Sequence, residues 1–422
     1  MNERLLQFIW QFQYFNKSSL VTTQGEPVYV MDAGTWNHHQ GPDFSTATVR
    51  IGHTTWVGNI EIHILSSDWY RHRHPGDKHY QNIILHVVWK DDMPVHADNG
   101  SLIPCLVLDQ LVSRHLLERY DKMMRQETVL PCSHFLPALS HLAWTSWKER
   151  LMAERLERKA AHVLRLLGQT RGHWEEVCWQ MLAANLGIQV NSALFGAVAQ
   201  SLPLSVLIKH KHNPLQVEAM LMGQANLLTG IFKDSYPLLL QREHTFFSRK
   251  YKLPPVTAQP AFLRMRPAAF PTVRISQLAA IVVKNDHLFS VIKETPEIAA
   301  VTDLFRVTAA AYWNTHYLFD EAADHHPKQL GAAMAGNLII NTVVPVLFAY
   351  GLHTHDETCK QKAMQWLYQL PAEHNRITRS WKETGIANHS ALDSQSLIEL
   401  TNHYCTQKRC LDCSVGNKIL KG

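Results

Sequence analysis

The sequence predicts an α/β domain followed by a mostly α-helical domain. Three observations carry this. Residues 27–31, 43–51 and 55–65 are short β-rich runs separated by turn residues. Residues 83–89 are almost continuously apolar, as in a strand buried on both faces of a parallel or mixed sheet. Beyond about residue 140, strand signals nearly vanish and helical periodicity takes over.

Residues 2–14 read as an amphipathic helix, because Leu5, Leu6, Phe8, Ile9 and Phe12 recur at helical spacing. Glu3 falls in its first turn, where an acid meets the positive end of the helix dipole. Gly52-His53 fits a tight hairpin between the second and third β-runs. Residues 67–80 are polar and His-rich, broken at Pro75-Gly76. Residues 102–108 add a further strand and 110–126 a helix. The order is helix, three strands, a partly helical crossover and a buried strand, which places one domain at 1–127 and a second at 128–422.

The second domain opens with a long helix over 143–167, Trp144, Trp147 and Leu151 on one side and Lys148, Arg155, Arg158, Lys159 and Arg165 elsewhere. Helical runs follow at 174–185, 191–201, 213–228, 235–250, 274–294, 302–314, 331–350, 356–369 and 391–403. Pro254-Pro255 and the stretch from Arg264 to Pro271 mark an irregular connection that divides this half. No fixed-period repeat is present.

With 18% charged and 46% apolar residues and no low-complexity tract, the chain is globular, and 422 residues suffice for two or three domains. A formal charge of +5 permits a nucleic-acid partner without demanding one, and 26 histidines make that charge pH-sensitive. Met1-Asn2-Glu3-Arg4 lacks the basic-then-apolar pattern of a secretory signal. The longest apolar run, 338–350, is interrupted by Asn341 and Pro345 and falls short of the roughly 20 residues of a bilayer span. The expectation is a cytoplasmic protein with no membrane partner. Seven cysteines, an odd number with three crowded near the end, argue against a disulfide framework.

The chemistry concentrates in Gly41-Pro42-Asp43-Phe44 and Gly58-Asn59-Ile60-Glu61-Ile62-His63. Alternation along a strand puts Glu61 and His63 on one face and Ile60, Ile62 and Ile64 on the other. A hairpin can bring Asp43 beside Glu61. Two carboxylates on one patch repel unless a cation neutralises them, and a hard divalent ion such as Mg²⁺ or Mn²⁺ fits two carboxylates.

Pro42-Asp43 with Glu61-Ile62-His63 resembles the PD-(D/E)XK nuclease superfamily, in the variant where His replaces the usual Lys. The helix bearing Glu3 and the αβββαβ order are similar to that superfamily's restriction-endonuclease-like core. The resemblance implies a metal held by Asp43, Glu61 and the Ile62 carbonyl, with Glu3 as a further acid on the first helix. It places His63 where a lysine orients or activates the attacking water, and it implies nucleic acid, DNA foremost, as substrate. The wider chain, from its start through Leu85-His86-Val87-Val88 to the terminal cysteines, resembles a bacterial family of uncharacterised function.

Two other clusters stand out. Asp68-Trp69, Arg71-His72-Arg73-His74, Asp77 and His79 are the densest group of possible ligands. They read either as a zinc-type hydrolase site on His72, His74 and Asp77 or as an accessory loop in which His72, Arg73 and His74 touch substrate. His86, inside the apolar run, reads as a core histidine with a satisfied hydrogen bond. Cys405, Cys410 and Cys413 give the spacing C-x4-C-x2-C, which fits Zn²⁺ or an iron–sulfur cluster, with Cys132 the first choice of fourth ligand and His403 the local alternative. Some nucleases similar to the superfamily above carry such a cluster. Basic patches recur, among them Lys209 to His212 and Arg249-Lys250 with Lys252, and interleaved aromatics such as Tyr251 offer base stacking. Three functions therefore compete: a Mg²⁺-dependent nuclease, a non-catalytic nucleic-acid-binding or assembly module on the same fold, and a metal hydrolase centred on His72, His74 and Asp77.

Overall fold

A computed structural model describes residues 1–37, 40–126, 128, 130–136 and 140–421. The chain forms two compact units, one of residues 1–144 with 400–422 and one of residues 145–399. Sequence placed the boundary at 127/128, and residue 127 lies outside the described residues. The terminal segment, expected in the helical half, belongs to the first unit instead.

The first unit is built on a mixed sheet. Helix α1 (Glu3–Gln11) starts at Asn2, whose side chain accepts the Leu5 amide, and buries Leu5, Leu6, Phe8, Ile9 and Trp10. Strands β1 (Val28–Asp32), β2 (Thr35–Trp36), β3 (Phe44–Ile51), β4 (Thr54–Leu65), β5 (Ile83–Lys90) and β6 (Cys105–Val107) follow. The sheet order is β1-β3-β4-β5-β6, with β2 on the edge of β3. β3 is antiparallel to both its neighbours, β1 and β4; β4, β5 and β6 are parallel. The β3–β4 turn is Gly52-His53, where Gly52 adopts φ +58. Between β4 and β5 the chain makes a four-residue helix, α2 (Asp68–Arg71), whose Asp68 accepts the Leu65 amide.

β4 is central, and both its faces are covered. Ile60 and Ile62 are buried, and so are Glu61 and His63 on the opposite face. Helix α3 (Arg114–Arg125) follows the sheet. The terminal helix Ser414–Lys421 packs on it, with the Arg119 guanidinium donating to the Ile419 carbonyl at 3.0 Å. Tyr14 Oη donates to Asn417 Oδ1 at 2.6 Å and Arg4 pairs with Asp412 at 2.8 Å, so the tail is tied back to the start of the chain.

The second unit is helical around one apolar core. The run expected over 274–294 divides into Pro271–Lys284 and Leu288–Glu294, and the helix expected over 302–314 lies earlier, at Ile298–Leu304. The irregular stretch before Pro271 does not divide the unit, because Val256 and Ala258 pack on the same core. A two-stranded ribbon, His316–Leu318 with Glu321–Ala322, is an addition sequence did not signal. Ala332–Thr354 is helical throughout its 23 residues and by length and composition could cross a bilayer, with 61% of its most apolar window buried. Asn341 and Pro345, which break the apolar run at 338–350, lie inside this helix, as the helical run expected at 331–350 requires. Pro345 has no N–H to give the Asn341 carbonyl, and Asn185 Nδ2 donates to that carbonyl instead at 3.1 Å, inside a π-turn over Ile339–Val343.

Candidate metal centre

Asp43 stands just before β3 where Phe44 pairs with Ile60, which sets it across from Glu61. Backbone and carboxylates then interlock. The Asp43 amide donates to Glu61 Oε2 at 3.1 Å, and the Ile62 amide donates to Asp43 Oδ2 at 3.1 Å. Gln7 on α1 donates to Asp43 Oδ1 at 2.8 Å. An extended residue turns its N–H and C=O toward the same neighbouring strand, so the Ile62 carbonyl faces the Asp43 side. Glu3, one helical turn before Gln7, is near enough for its charge to act on both acids.

Burial dominates the electrostatics of the three acids. Burial, then the charge of Glu61, pushes Asp43 up to about 8 against the opposing hydrogen bond from Gln7. Burial also pushes Glu61 up to about 8, opposed by the Asp43 amide and reinforced by Glu3. Glu3 is raised by burial, with His72 pulling the other way.

Beside the acids lies an imidazole cluster. His63 is fully buried. Its Nδ1 meets His86 Nε2 at 2.9 Å, and its Nε2 meets His72 Nδ1 at 3.1 Å and His74 Nε2 at 3.3 Å. Glu61 Oε1 lies 3.3 Å from His74 Nε2 and 3.6 Å from His63 Nε2. His72 and His74 both reach His63 because Arg73 between them adopts a left-handed φ of +63. The His74 ring is held between Trp69 and Tyr80, with ring centroids 5.1 Å and 3.9 Å away.

A neutral imidazole offers one proton and one lone pair, so His63 Nε2 cannot satisfy three polar neighbours by hydrogen bonding. Ligands bonded at about 2.0–2.1 Å to a tetrahedral ion stand about 3.3 Å apart. His63 Nε2 lies near that separation from His72 and His74, and the three histidines form a group whose ligand atoms lie within 4.8 Å of one another; Glu61 borders His63 and His74 from outside that group. Their protonation suits the role. Burial, then His86, His72 and His74, pushes His63 down to about 2, and burial lowers His74 and takes His86 to about 4. His63 is thus neutral, as a ligating imidazole must be.

The structure thus joins two sites that sequence kept apart. Glu3, Asp43, Glu61 and His63 converge, and His72 and His74 converge with them. Asp77 takes a different partner: it accepts from the His79 amide at 2.9 Å and faces the His79 ring at 2.7 Å, so the triad of His72, His74 and Asp77 gives way to one of His63, His72 and His74. Arg73 is exposed and contributes its backbone turn. Asp68 opens α2, accepts the Leu65 amide at 3.1 Å and pairs with Arg71 at 3.0 Å. His86 is half satisfied: Nε2 is paired, whereas Nδ1 is buried without a partner. Sequence reasoning missed Gln7, which shares a helix face with Glu3, and the service of His86 to His63. The signal for His86 was its place on β5, in register with Glu61.

A model of the family described as a protein of unknown function, DUF2851, matches residues 3–376. Comparisons with curated proteins and with solved structures give no match.

Proposed function

On the premise that the chain belongs to the DUF2851 family, we propose that its first unit is a metal-dependent phosphodiesterase acting on nucleic acid, a PD-(D/E)XK-like nuclease with His63 in the lysine position. One observation carries the reading: two carboxylates, the buried Glu61 and the partly buried Asp43, interlock at the start of β3 with an imidazole alongside. The helix-first order and the sheet, antiparallel through β4 and parallel beyond it, support a restriction-endonuclease-like arrangement. Exposed Arg71 and Arg73 beside exposed His72 suit a phosphate backbone at the opening.

Asp43, Glu61 and the Ile62 carbonyl would hold Mg²⁺ or Mn²⁺, with Glu3 adding negative charge from α1. The ion would supply positive charge to the phosphate oxygens and acidify a bound water. Gln7 fixes Asp43, and the Asp43 amide fixes Glu61. His63, neutral and oriented by His86, would accept a hydrogen bond at Nε2 from the attacking water and so orient it.

The inter-ligand distances favour a second reading, in which His63, His72 and His74 hold a borderline metal such as Zn²⁺ or Mn²⁺, with Glu61 beside His63 and His74, and His63 is a ligand rather than a base. Cleavage of labelled single- and double-stranded DNA and RNA by the full chain separates the readings. In the first, Mg²⁺-dependent cleavage is lost in Asp43→Ala/Glu61→Ala and survives in His72→Ala/His74→Ala. In the second, Zn²⁺- or Mn²⁺-dependent cleavage is lost in both. Binding without cleavage by the wild type under any of these ions defeats both and favours a non-catalytic module.

A further inference from the structure

A second cluster of ligand-type side chains lies in the first unit and plays no part in the chemistry above. Cys132, Cys405, Cys410 and Cys413 are each less than a tenth exposed, and none is in a disulfide. They come from distant stretches of chain. Cys132 follows α3, whereas the other three surround the turn that leads into Ser414–Lys421. Cys132, Cys410 and Cys413 are close enough to Cys405 for charge on any of them to be felt there.

The local backbone is built to hold sulfur. The Lys408 amide donates to the Cys405 carbonyl at 3.0 Å and the Arg409 amide to the Tyr404 carbonyl at 2.8 Å, with Lys408 in the left-handed region at φ +53. This reverses the chain between the first and second thiols. The amides of Val415 and Gly416 both donate to Cys413 Sγ. Gly416 lies so close to the Cys410 carbonyl that a Cβ would come within 2.1 Å of it. Only glycine lets the terminal helix begin directly over the turn carrying Cys410.

We propose that Cys132, Cys405, Cys410 and Cys413 bind an iron–sulfur cluster that fastens the terminal segment to the sheet unit. Two features favour a cluster over a single zinc ion. Zinc bonded at about 2.3 Å would set neighbouring thiolates about 3.8 Å apart. Among the described residues, the group of ligand atoms within 4.8 Å of one another consists of histidines and does not include these thiols. A cluster of several irons spans the wider gap. The spacing C-x4-C-x2-C with a remote fourth cysteine is also one used for iron–sulfur ligation. The cluster would close the long loop containing the whole second unit. It would thereby hold the tail whose Asp412 and Asn417 grip Arg4 and Tyr14 around α1, the helix that carries Glu3.

The test is iron, zinc and acid-labile sulfide analysis of the full chain purified without oxygen, with its visible spectrum before and after reduction. The expected result is about two to four irons per chain with matching sulfide, and a broad visible absorbance bleached by dithionite. Cys405→Ser and Cys410→Ser should lose both, whereas Cys178→Ser and Cys359→Ser, buried thiols of the other unit, should keep them. Zinc without sulfide overturns the proposal. So do four thiols that alkylate on unfolding of a metal-free wild-type protein, or a mass showing disulfides between them. The wild-type measurement stands even where a serine variant fails to fold.

Discussion

Titrating the metal-free protein with Mn²⁺ at a series of pH values probes the acid pair most directly. Asp43 and Glu61 both titrate near about 8, so below that pH each carries a proton that a bound cation must displace. Apparent affinity should rise about tenfold per pH unit for each proton released, approaching a hundredfold when both leave, and should level off above about pH 8. The buried imidazole adds nothing to this slope, because His63 titrates near about 2 and is already neutral. The metal-free fold obeys the same linkage. Folded values near about 8 lie above the ordinary 3.8 and 4.5, so the protonated fold is favoured. Its stability therefore falls as pH rises from about 4 to about 8, by several kcal/mol in all, and flattens beyond. Metal should remove most of that loss. Calorimetry in two buffers of different ionisation heat counts the protons released, and thermal melts with and without EDTA follow the stability. Asp43→Asn or Glu61→Gln should each reduce the slope by about one proton. An affinity that stays constant from about pH 6 to about pH 8 would refute the reasoning, because the acids would then be ionised before the ion arrives.

His86→Leu removes the partner of His63 Nδ1 while filling the same space. Metal affinity should fall about 10–100-fold with the fold intact, and an unchanged affinity would show that His86 does not orient the ring. Gly58→Ala should cost about 1–3 kcal/mol in urea unfolding, since its Cβ would come within 2.4 Å of Ile84 Cγ2 and 2.9 Å of the Asn82 carbonyl. In the helical unit, Glu218 is buried and accepts from Trp313 Nε1 at 2.7 Å and Ser276 Oγ at 2.9 Å. Glu218→Ala strands both donors and should cost about 2–5 kcal/mol, with Glu218→Gln well below that; equal losses would show that packing rather than hydrogen bonding sets the penalty.

The sheet unit was largely legible in the sequence because its elements announce themselves locally. The apolar run at 83–89 became β5, parallel to β4, and the hairpin fell at Gly52-His53. Helix 2–14 shortened to Glu3–Gln11, where Phe12 closes the last turn. The acid pair could be anticipated from strand alternation and a single register. The imidazole cluster could not, because it depends on one left-handed residue, Arg73, which has no sequence signal for φ > 0. Asp77 looked like a ligand for the same reason: spacing cannot reveal that it turns back to the His79 amide two residues on. Boundaries in the helical unit were blurred where side chains repair the backbone, as Asn185 does for the carbonyl left free by Pro345.

The division of the first unit between both ends of the chain has a consequence for synthesis. Residues 145–399 intervene between its two parts. At about 5–20 residues per second, the ribosome exposes the sheet on the order of ten seconds to a minute before the closing segment. Until then α1 lacks its grip from Asp412 and Asn417. A nascent or prematurely released polypeptide therefore presents α1 before its partners from the terminal segment exist, and vectorial translation itself times their arrival.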